Sequence, residues 1–568
     1  LMNPGPELFC QDPPRLGNQF DDDRMLRSLL RRRFGGSLDE VLPQLRAMGE
    51  LAGNSLYQMQ LDDRRNEPVL TQWDAWGQRV DQIELSPLWR RAAVIAAESG
   101  LIATAYEQHW GPLSRSLQFA LVYLFHPSTD VYTCPLAMTD GAARTLIASN
   151  NRALIERAVP RLTSRDPGLA WTSGQWMTEA SGGSDVGRSE TRAVPDQDQW
   201  WRLYGRKWFT SAATSEMALT LARPEGNGPG GRGLALFYLE TRDAEGRLDG
   251  IRVCRLKDKL GTRKVPTAEL LLDGCPAQLV AGADNGVQQI VPMLEMTRTW
   301  NSVCAVAAMR RGIALSRDYA RRRIAFGRVL SEQPLHLDTL AWLQARTEAA
   351  FHLCFYLVDL LGRRETDGLG ELASAELRLL TSLTKLSTGR EAVAVISEII
   401  ESFGGAGYVE DTGLPTLLRD TQVLPIWEGT TNVLALDLLR ALALTDGPAP
   451  ILALVERCRA ACTDPRLVEA SALAGVSVRR ACEWYQQRRG EEDRERLEAG
   501  ARRLALVLGQ ATGLALLCEH AQWALEHQRD RRPADAAARL AAHGFDRLYE
   551  NPAEASAALA MDSGGPQQ

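Results

Sequence analysis

The chain has 568 residues, which at about 100–200 residues per domain implies several structural units. Hydrophobic residues make up 45% of it and charged residues 24%, and these ordinary globular values exclude a disordered chain or a coiled-coil fibre. The net charge of −6 leaves no overall basic excess that would hold nucleic acid.

No apolar stretch in the sequence is long enough to span a bilayer, because the longest, 504–518, is interrupted by Gly509, Gln510 and Thr512. The ten scattered cysteines predict single buried thiols rather than a disulfide framework, and no metal site is predicted. The N-terminal residues carry no secretory signal and the C-terminal residues no peroxisomal address. We therefore expect a soluble protein of the cytoplasm or the mitochondrial matrix.

The chain divides into four predicted segments. Residues 1–170 show helical apolar spacing, and residues 171–286 change to short β-prone runs separated by Gly, Pro, Asn and Asp clusters. Long amphipathic helices return in residues 287–445, and a Gly/Pro linker at 447–450 opens an extra helical segment, 446–568. The predicted fold class is multidomain α+β: an N-terminal helical domain, an antiparallel β-barrel, a helical bundle and an additional C-terminal helical domain.

The first motif, residues 177–186, stands where the helical pattern gives way to β structure. Its adjacent Gly182 and Gly183 let a ligand approach the backbone, and the hydroxyls of Thr178 and Ser184 can donate to phosphate or carbonyl oxygens. Taken alone, this composition favours a plain turn between two strands.

The second motif, residues 207–211, lies inside the β segment. Strand alternation puts Trp208 and Thr210 on one face, where an aromatic ring and a hydroxyl could cover a planar ring system and hydrogen-bond its edge. Taken alone, a core tryptophan beside a surface threonine is the favoured interpretation.

The third motif, residues 321–327, closes a predicted helix with three arginines. Arginines in a last helical turn are favoured by the helix dipole, and one guanidinium there could also clamp a pyrophosphate. Both explanations stay open on the residues alone.

The fourth motif joins a glycine cluster at 404–407 to a carboxylate, Glu428. The glycines permit close backbone approach, and Glu428 follows the apolar run 423–427, where a desolvated carboxylate suits general-base chemistry. An acid favoured by the dipole of the helix that starts near Thr431 is the alternative.

Together these motifs resemble the acyl-CoA dehydrogenase family over about 150–445, in the family's own order. The N-terminal helical part and the segment after 447 look like its AidB-like subgroup. The resemblance implies FAD as cofactor, a medium-to-long fatty acyl-CoA as substrate, and a homotetramer built as a dimer of dimers. It also implies that electrons leave to an electron-transfer flavoprotein or to oxygen.

The resemblance also implies residue roles. Glu428 would remove the α-proton of the thioester while the β-carbon delivers a hydride to FAD N5. Substrate would be bound by Ser184, Arg298 and Gly429. The flavin would be bound by Met177, Thr178, Gly183, Ser184, Trp208, Thr210, Thr430 and Asn432, and across a subunit boundary by Arg323, Phe326, Gln333, Gly404 and Gly405.

Two positions depart from the family pattern: Phe209 replaces an isoleucine, and Trp427 replaces the more familiar tyrosine. Both are bulky and could narrow the acyl pocket, but neither removes a catalytic group.

Two other functions compete with dehydrogenation: sequestration of acyl-CoA with little turnover, and an AidB-like, DNA-associated protection against alkylation. From Ala441 onward the chain has 16 arginines, no lysine and 18 acidic residues, a balance that argues against a general DNA clamp. Asp530 also interrupts the one arginine cluster, Arg529, Arg531 and Arg532.

Overall fold

Helices build most of the N-terminal segment in the computed structural model, which describes residues 12–490, 494–545, 548–549 and 553–562. These helices are α1 (Arg24–Phe34), α2 (Leu38–Gly53), α3 (Ser55–Asp62), α4 (Pro87–Glu98), α5 (Ala103–Glu107), α6 (Leu113–Phe125), α7 (Thr133–Ser149) and α8 (Arg152–Leu162).

A β-hairpin, β1 (Val69–Trp73) and β2 (Arg79–Glu84), interrupts this segment, which the sequence predicted to be helical. The hairpin docks on the β domain by polar contacts: Gln72 Nε2 donates to the Val253 carbonyl over 2.9 Å. Exposed and more buried residues alternate along both strands, and Leu70 and Ile83 pack against the apolar core of the β domain.

The middle segment forms a barrel-like sheet, which confirms the predicted fold class. Its strands are β3 (Ser173–Trp176), β4 (Arg192–Pro195), β5 (Trp201–Thr210), β6 (Met217–Pro224), β7 (Ala235–Glu240), β8 (Ile251–Leu256) and β9 (Ala268–Leu279). Strands β6, β4, β5, β9 and β7 close a ring, because β7 pairs back onto β6. The sheet is not purely antiparallel as predicted, since β3 and β4 both pair in parallel with β6.

The helical bundle follows and holds the longest helices around the site. Its elements are α9 (Gly286–Gln289), α10 (Val291–Arg322), β10 (Ile324–Ala325), β11 (Arg328–Val329), α11 (Pro334–Thr366), α12 (Glu371–Ser402), α13 (Leu414–Thr421) and α14 (Thr431–Ala443). Helices α10 and α11 share one apolar core with the N-terminal helices, so the first and third segments pack as a unit.

The additional C-terminal segment is helical, as predicted: α15 (Ala449–Ala460), α16 (Pro465–Arg488), α17 (Arg494–Gln528), α18 (Arg532–His543) and α19 (Ala553–Met561). It shares a second apolar core with α11, α12 and α14, so the predicted linker at 447–450 is only a turn and the start of α15. Asp530 accepts from Arg532 Nε over 2.8 Å, which weakens the arginine cluster as the sequence suggested.

Among the described residues, α17 alone is long and apolar enough to cross a membrane by length and composition. Inside the protein 83% of its apolar window is buried, as in the core helix of a globular bundle.

A buried histidine pair joins the C-terminal segment to the rest of the molecule. The rings of His520 (α17) and His352 (α11) lie 4.3 Å apart, and His520 Nε2 lies 2.9 Å from Ser28 Oγ of α1. Burial, followed by neighbouring arginines, lowers the pKa of His520 to about 3, and burial beside His520 lowers that of His352 well below its ordinary value.

Because these histidines stay neutral in the folded protein, acid should destabilise it. Below about pH 6.5 the unfolded chain binds protons at these histidines and the folded chain does not. The free energy of unfolding therefore falls by about 1.4 kcal/mol per pH unit for each such group. We expect the melting temperature to fall between pH 7 and pH 5, and to fall less in His520→Gln. The matched control is His109→Gln, whose side chain is 76% exposed; if all three proteins lose the same stability, the pair is not acid-sensitive.

Candidate active site

Some of the predicted site residues lie where the β domain faces the bundle. On one side, Trp208 N donates to Thr178 O over 3.0 Å, which joins the 177–184 loop to β5. On the other, Thr262 N donates to Asp420 Oδ1 over 2.6 Å, which joins the loop after β8 to α13, just before Glu428. The first bond ties the loop to the β domain, and the second ties the β domain to the bundle; we call the region between them, beside Glu428, the cleft.

Glu428 lies in a tight turn between α13 and α14. Its φ is +58°, in the left-handed region that a non-glycine residue occupies only at a cost of about 1–3 kcal/mol, and the next residue, Gly429, has φ +107°. The φ of Gly429 would strain any residue with a side chain, and a Cβ there would also come within 2.9 Å of Leu434 Cδ2. The turn is held by its surroundings rather than by its own preference.

Thr297 of α10 orients the Glu428 carboxylate: its hydroxyl donates to Oε2 over 2.7 Å. Glu428 itself is half-buried, so its second oxygen can meet a ligand in the cleft. Sequence reasoning missed Thr297, because 131 residues separate the two positions.

Arg298 contacts the protein at each of its three guanidinium nitrogens. Nε donates to the Glu428 carbonyl (3.3 Å), Nη1 to Ser382 Oγ (3.1 Å) and Nη2 to Asp437 Oδ2 (2.9 Å). These contacts hold the turn, whereas the predicted contact of Arg298 with substrate stays a prediction.

Lys385 of α12 is a second cation on the same turn, and sequence reasoning missed it. Its side chain is fully buried, and Nζ donates to the Gly429 carbonyl over 2.6 Å. Arg298 and Lys385 thus bind two consecutive carbonyls.

The 177–184 loop is anchored by a buried carboxylate, Glu179, and presents Gly183 and Ser184 to solvent. Glu179 accepts from Lys207 Nζ (2.9 Å) and from Thr191 Oγ1 (2.6 Å). Burial alone would raise the pKa of Glu179, but the Lys207 ammonium and the hydrogen bonds outweigh it and hold that pKa below its ordinary value. Met177 is buried beneath the loop, and Thr178 is half-buried.

The predicted shared face of Trp208 and Thr210 does not form by simple alternation. The pairing of β5 with β9 shifts register between Lys207 and Thr210, so an extra residue bulges there. Thr210 is fully buried and its hydroxyl donates to Ala268 O, whereas Trp208 is half-buried with Lys257 Nζ 3.5 Å from its ring centroid. A planar ring could stack on Trp208 only from the face that Lys257 leaves open.

The two residues that depart from the family pattern flank the cleft. Phe209 is 53% exposed on the bulge, and Trp427 is half-buried next to Glu428. Cys134 of α7 also lies beside Glu428, Ser211 and Lys259, and burial raises its pKa to about 12.

A cavity of about 110 Å³ is lined by Val131 and Leu424, which precede Cys134 and Glu428 by three and four residues. Its walls also carry charge, from Asp130, Arg311 and Asp420. Burial raises the pKa of Asp420 to about 7.

The predicted cross-subunit residues form a separate cluster at the far end of the bundle. Phe326 and Gly327 turn the β10–β11 hairpin with φ of +51° and +75°, and Phe326 is fully exposed. Gln333 Nε2 donates to Ala325 O over 3.0 Å, which places it beside the hairpin and Arg323. Tyr319 packs on Phe403 with ring centroids 4.8 Å apart, which brings the exposed Gly404 and Gly405 to the same end.

This hairpin cluster is remote from Glu428 of the same chain. A helix rises 1.5 Å per residue, so the end of α10 that leads into the hairpin lies about 38 Å from Thr297. By the same rise, Gly404 lies about 28 Å from Lys385 along α12. Within one protomer the predicted residues therefore lie in two separate groups.

The remaining predicted residues lie at the start of α14. Thr430 caps this helix, since its hydroxyl accepts from Val433 N over 3.4 Å. Asn432 is exposed, and its Oδ1 accepts from Arg502 Nη1 of α17 over 3.4 Å. Among the described residues, no three His, Cys, Asp or Glu side chains are grouped to hold a metal ion.

Three family models match the chain. The acyl-CoA dehydrogenase middle domain matches residues 174–275 and the C-terminal domain of the same family residues 284–443. The N-terminal domain of the adaptive response protein AidB matches residues 12–167.

Related proteins agree with these models. Acyl-CoA dehydrogenase family member 11 of Caenorhabditis elegans is 46% identical over 442 residues, 76% of this chain and 72% of its own length. The putative acyl-CoA dehydrogenase AidB of Escherichia coli is 31% identical over 389 residues, 66% of this chain and 69% of its own. The crystal structure of Caenorhabditis elegans ACDH-11 in complex with C11-CoA matches with a TM-score of 0.94 at 37% identity, over 99% of this chain and 98% of that one.

Breaking the buried ion pair under the loop should be far costlier than breaking a surface pair nearby. Lys207→Met leaves Glu179 buried and unpaired, which costs about 3–5 kcal/mol, and we expect a lower melting temperature. The double variant Glu179→Gln/Lys207→Met should recover part of the stability.

The matched control is Arg202→Gln, because Arg202 lies on β5 like Lys207. This variant removes the partly exposed pair of Arg202 with Asp196 and should cost at most about 1 kcal/mol. Equal melting temperatures for the two single variants would contradict the anchoring role of Glu179.

Proposed function

Because the chain belongs to the acyl-CoA dehydrogenase family and has an AidB-type N-terminal domain, we propose that it is a FAD-dependent dehydrogenase of fatty acyl-CoA thioesters. The observation that carries the proposal is Glu428: a carboxylate oriented by Thr297, in a strained turn that faces the cleft between β domain and bundle.

The residues of the cleft fit the two halves of FAD. The exposed loop glycine Gly183 and the hydroxyl of Ser184 offer close backbone approach and hydrogen bonds to a pyrophosphate, and Trp208 offers one open ring face to the isoalloxazine. The Thr210 hydroxyl already donates to Ala268 O, so toward a flavin edge it can serve as an acceptor. When bound, FAD supplies the acceptor for the hydride that leaves the β-carbon.

Glu428 acts as the general base in this proposal. Thr297 fixes Oε2, so Oε1 is the oxygen that takes the α-proton of the thioester. The Glu428 backbone N–H donates to the thioester carbonyl and stabilises the enolate that forms, a contribution of about 2.7–4 kcal/mol for a donor of this type. Both groups belong to one residue, so the conformation of the turn sets both.

The separation of the two groups of predicted residues supports a shared flavin site between subunits. The residues of the hairpin cluster lie too far from their own Glu428 to reach a cofactor bound beside it. Phe326, Gly404 and Gly405 are exposed, and Arg323 and Gln333 are half-buried, at an end where a second copy could bring its cleft. A dimer of dimers satisfies this requirement.

The acyl chain would run past Cys134 toward the cavity lined by Val131 and Leu424. The charges of Asp130, Arg311 and Asp420 disfavour a longer apolar chain there, because buried charge is stabilised by polar partners. A chain of medium length fits best, and the C11-CoA complex of the ACDH-11 relative is consistent with it.

We further propose an electron-transfer flavoprotein or oxygen as acceptor of the electrons, and the cytoplasm or the mitochondrial matrix as location.

The test is an anaerobic titration of the flavin-loaded protein with saturated acyl-CoAs from short to very long. We expect medium chains to bleach the flavin, and Glu428→Gln to bind the same thioesters while bleaching about 10²- to 10⁴-fold more slowly, since it lacks the base. Glu428→Asp keeps a carboxylate and should retain part of the rate. If no saturated acyl-CoA bleaches the wild-type flavin, the chain sequesters acyl-CoA instead.

A further inference from the structure

Lys385 stands out because this chain hardly uses lysine. Only five of its 65 basic residues are lysines, at positions 207, 257, 259, 264 and 385, and the first four lie in the β domain. Lys385 is the only one in the helices, where it is fully buried in the middle of α12. A buried ammonium is costly, so its position calls for a reason.

Its partner gives that reason. Lys385 Nζ donates to the Gly429 carbonyl over 2.6 Å, one peptide after the Glu428 carbonyl that accepts from Arg298 Nε. Two cations therefore bind consecutive carbonyls of the turn. Their bonds stabilise the φ of +58° at Glu428, which is costly for a residue with a side chain, and the φ of +107° at Gly429.

We infer that Lys385 is a positioning residue of the dehydrogenation step: its ammonium, bound to the Gly429 carbonyl, holds the turn so that the Glu428 carboxylate and the Glu428 N–H both face the thioester. The inference rests on the proposed function. Lys385 touches neither substrate nor cofactor and acts only through the backbone.

The surroundings make this ammonium titratable near neutrality. Burial is the main cause that lowers the pKa of Lys385 to about 7. The nearby Glu428 carboxylate raises this pKa, and the positive charge of Arg298 lowers it. Arg298 is itself paired with Asp437 of α14. When Lys385 loses its proton, the strong charge-assisted bond to Gly429 becomes a weak neutral one and the turn is released.

The test is the limiting rate of anaerobic flavin reduction, measured across a pH range that brackets neutrality with the acyl-CoA that best reduces the wild type. The wild-type rate should fall on the alkaline side with a midpoint near pH 7. Lys385→Met should lower the rate about ten- to hundredfold on the acid side and show no alkaline fall, at unchanged acyl-CoA affinity. Lys385→Arg, which stays charged throughout this range, should show no alkaline fall.

The matched control is Thr384→Val, a buried neighbour on the same helix, which should keep the wild-type rate and pH profile. Flavin content and melting temperature establish that each variant folds. If Lys385→Met does not fold, Lys385→Gln replaces it; as a neutral donor, Gln should keep part of the acid-side rate and abolish the alkaline fall.

Three outcomes overturn the inference. A folded Lys385→Met or Lys385→Gln protein with the wild-type rate and pH profile refutes it while the proposed function stands. A wild-type rate that does not change through neutrality also refutes it. A wild-type flavin that no acyl-CoA reduces refutes the proposed function, and this inference with it.

Discussion

The left-handed turn at Glu428 and Gly429 is the constraint on which the active site depends. The left-handed conformation is costly for a glutamate, and residues from two helices hold it. Arg298 binds the Glu428 carbonyl, Lys385 binds the Gly429 carbonyl, and Thr297 binds one oxygen of the Glu428 carboxylate. In the proposed reaction Glu428 supplies both the base and the N–H donor, so fixing the turn would fix the geometry of proton removal and of enolate stabilisation together.

The long helices set the distance between the two groups of residues proposed to bind the flavin. Helices α10 and α12 both pass beside the Glu428 turn and end at the hairpin cluster, so their length separates the proposed base from the proposed cross-subunit contacts within one chain. The C-terminal segment shares an apolar core with α11, α12 and α14, and Arg502 reaches Asn432 at the start of α14. The C-terminal segment is therefore packed as part of the bundle and stabilises the helices that hold Glu428; it is not an independent unit.

The domain order and the motif residues could be predicted because each depends on local pattern: alternation, helical periodicity, glycines and short motifs. The groups that hold Glu428 could not, since Thr297 is 131 residues away in sequence and Lys385 is 44 residues from Gly429. The bulge between Lys207 and Thr210 defeated the assumption of a two-residue period. The parallel pairing of β3 and β4 with β6 depends on long-range contacts that no local pattern carries.

A crystal structure with FAD and an unreactive acyl-CoA analogue tests the central claim most directly. The account predicts the α-carbon about 3–3.5 Å from Glu428 Oε1, the thioester oxygen within hydrogen-bond reach of the Glu428 N–H, and each flavin contacted by Arg323 and Gly404 of a second copy. A thioester whose α-carbon lies out of reach of Glu428, or a flavin bound entirely within one chain, would contradict it.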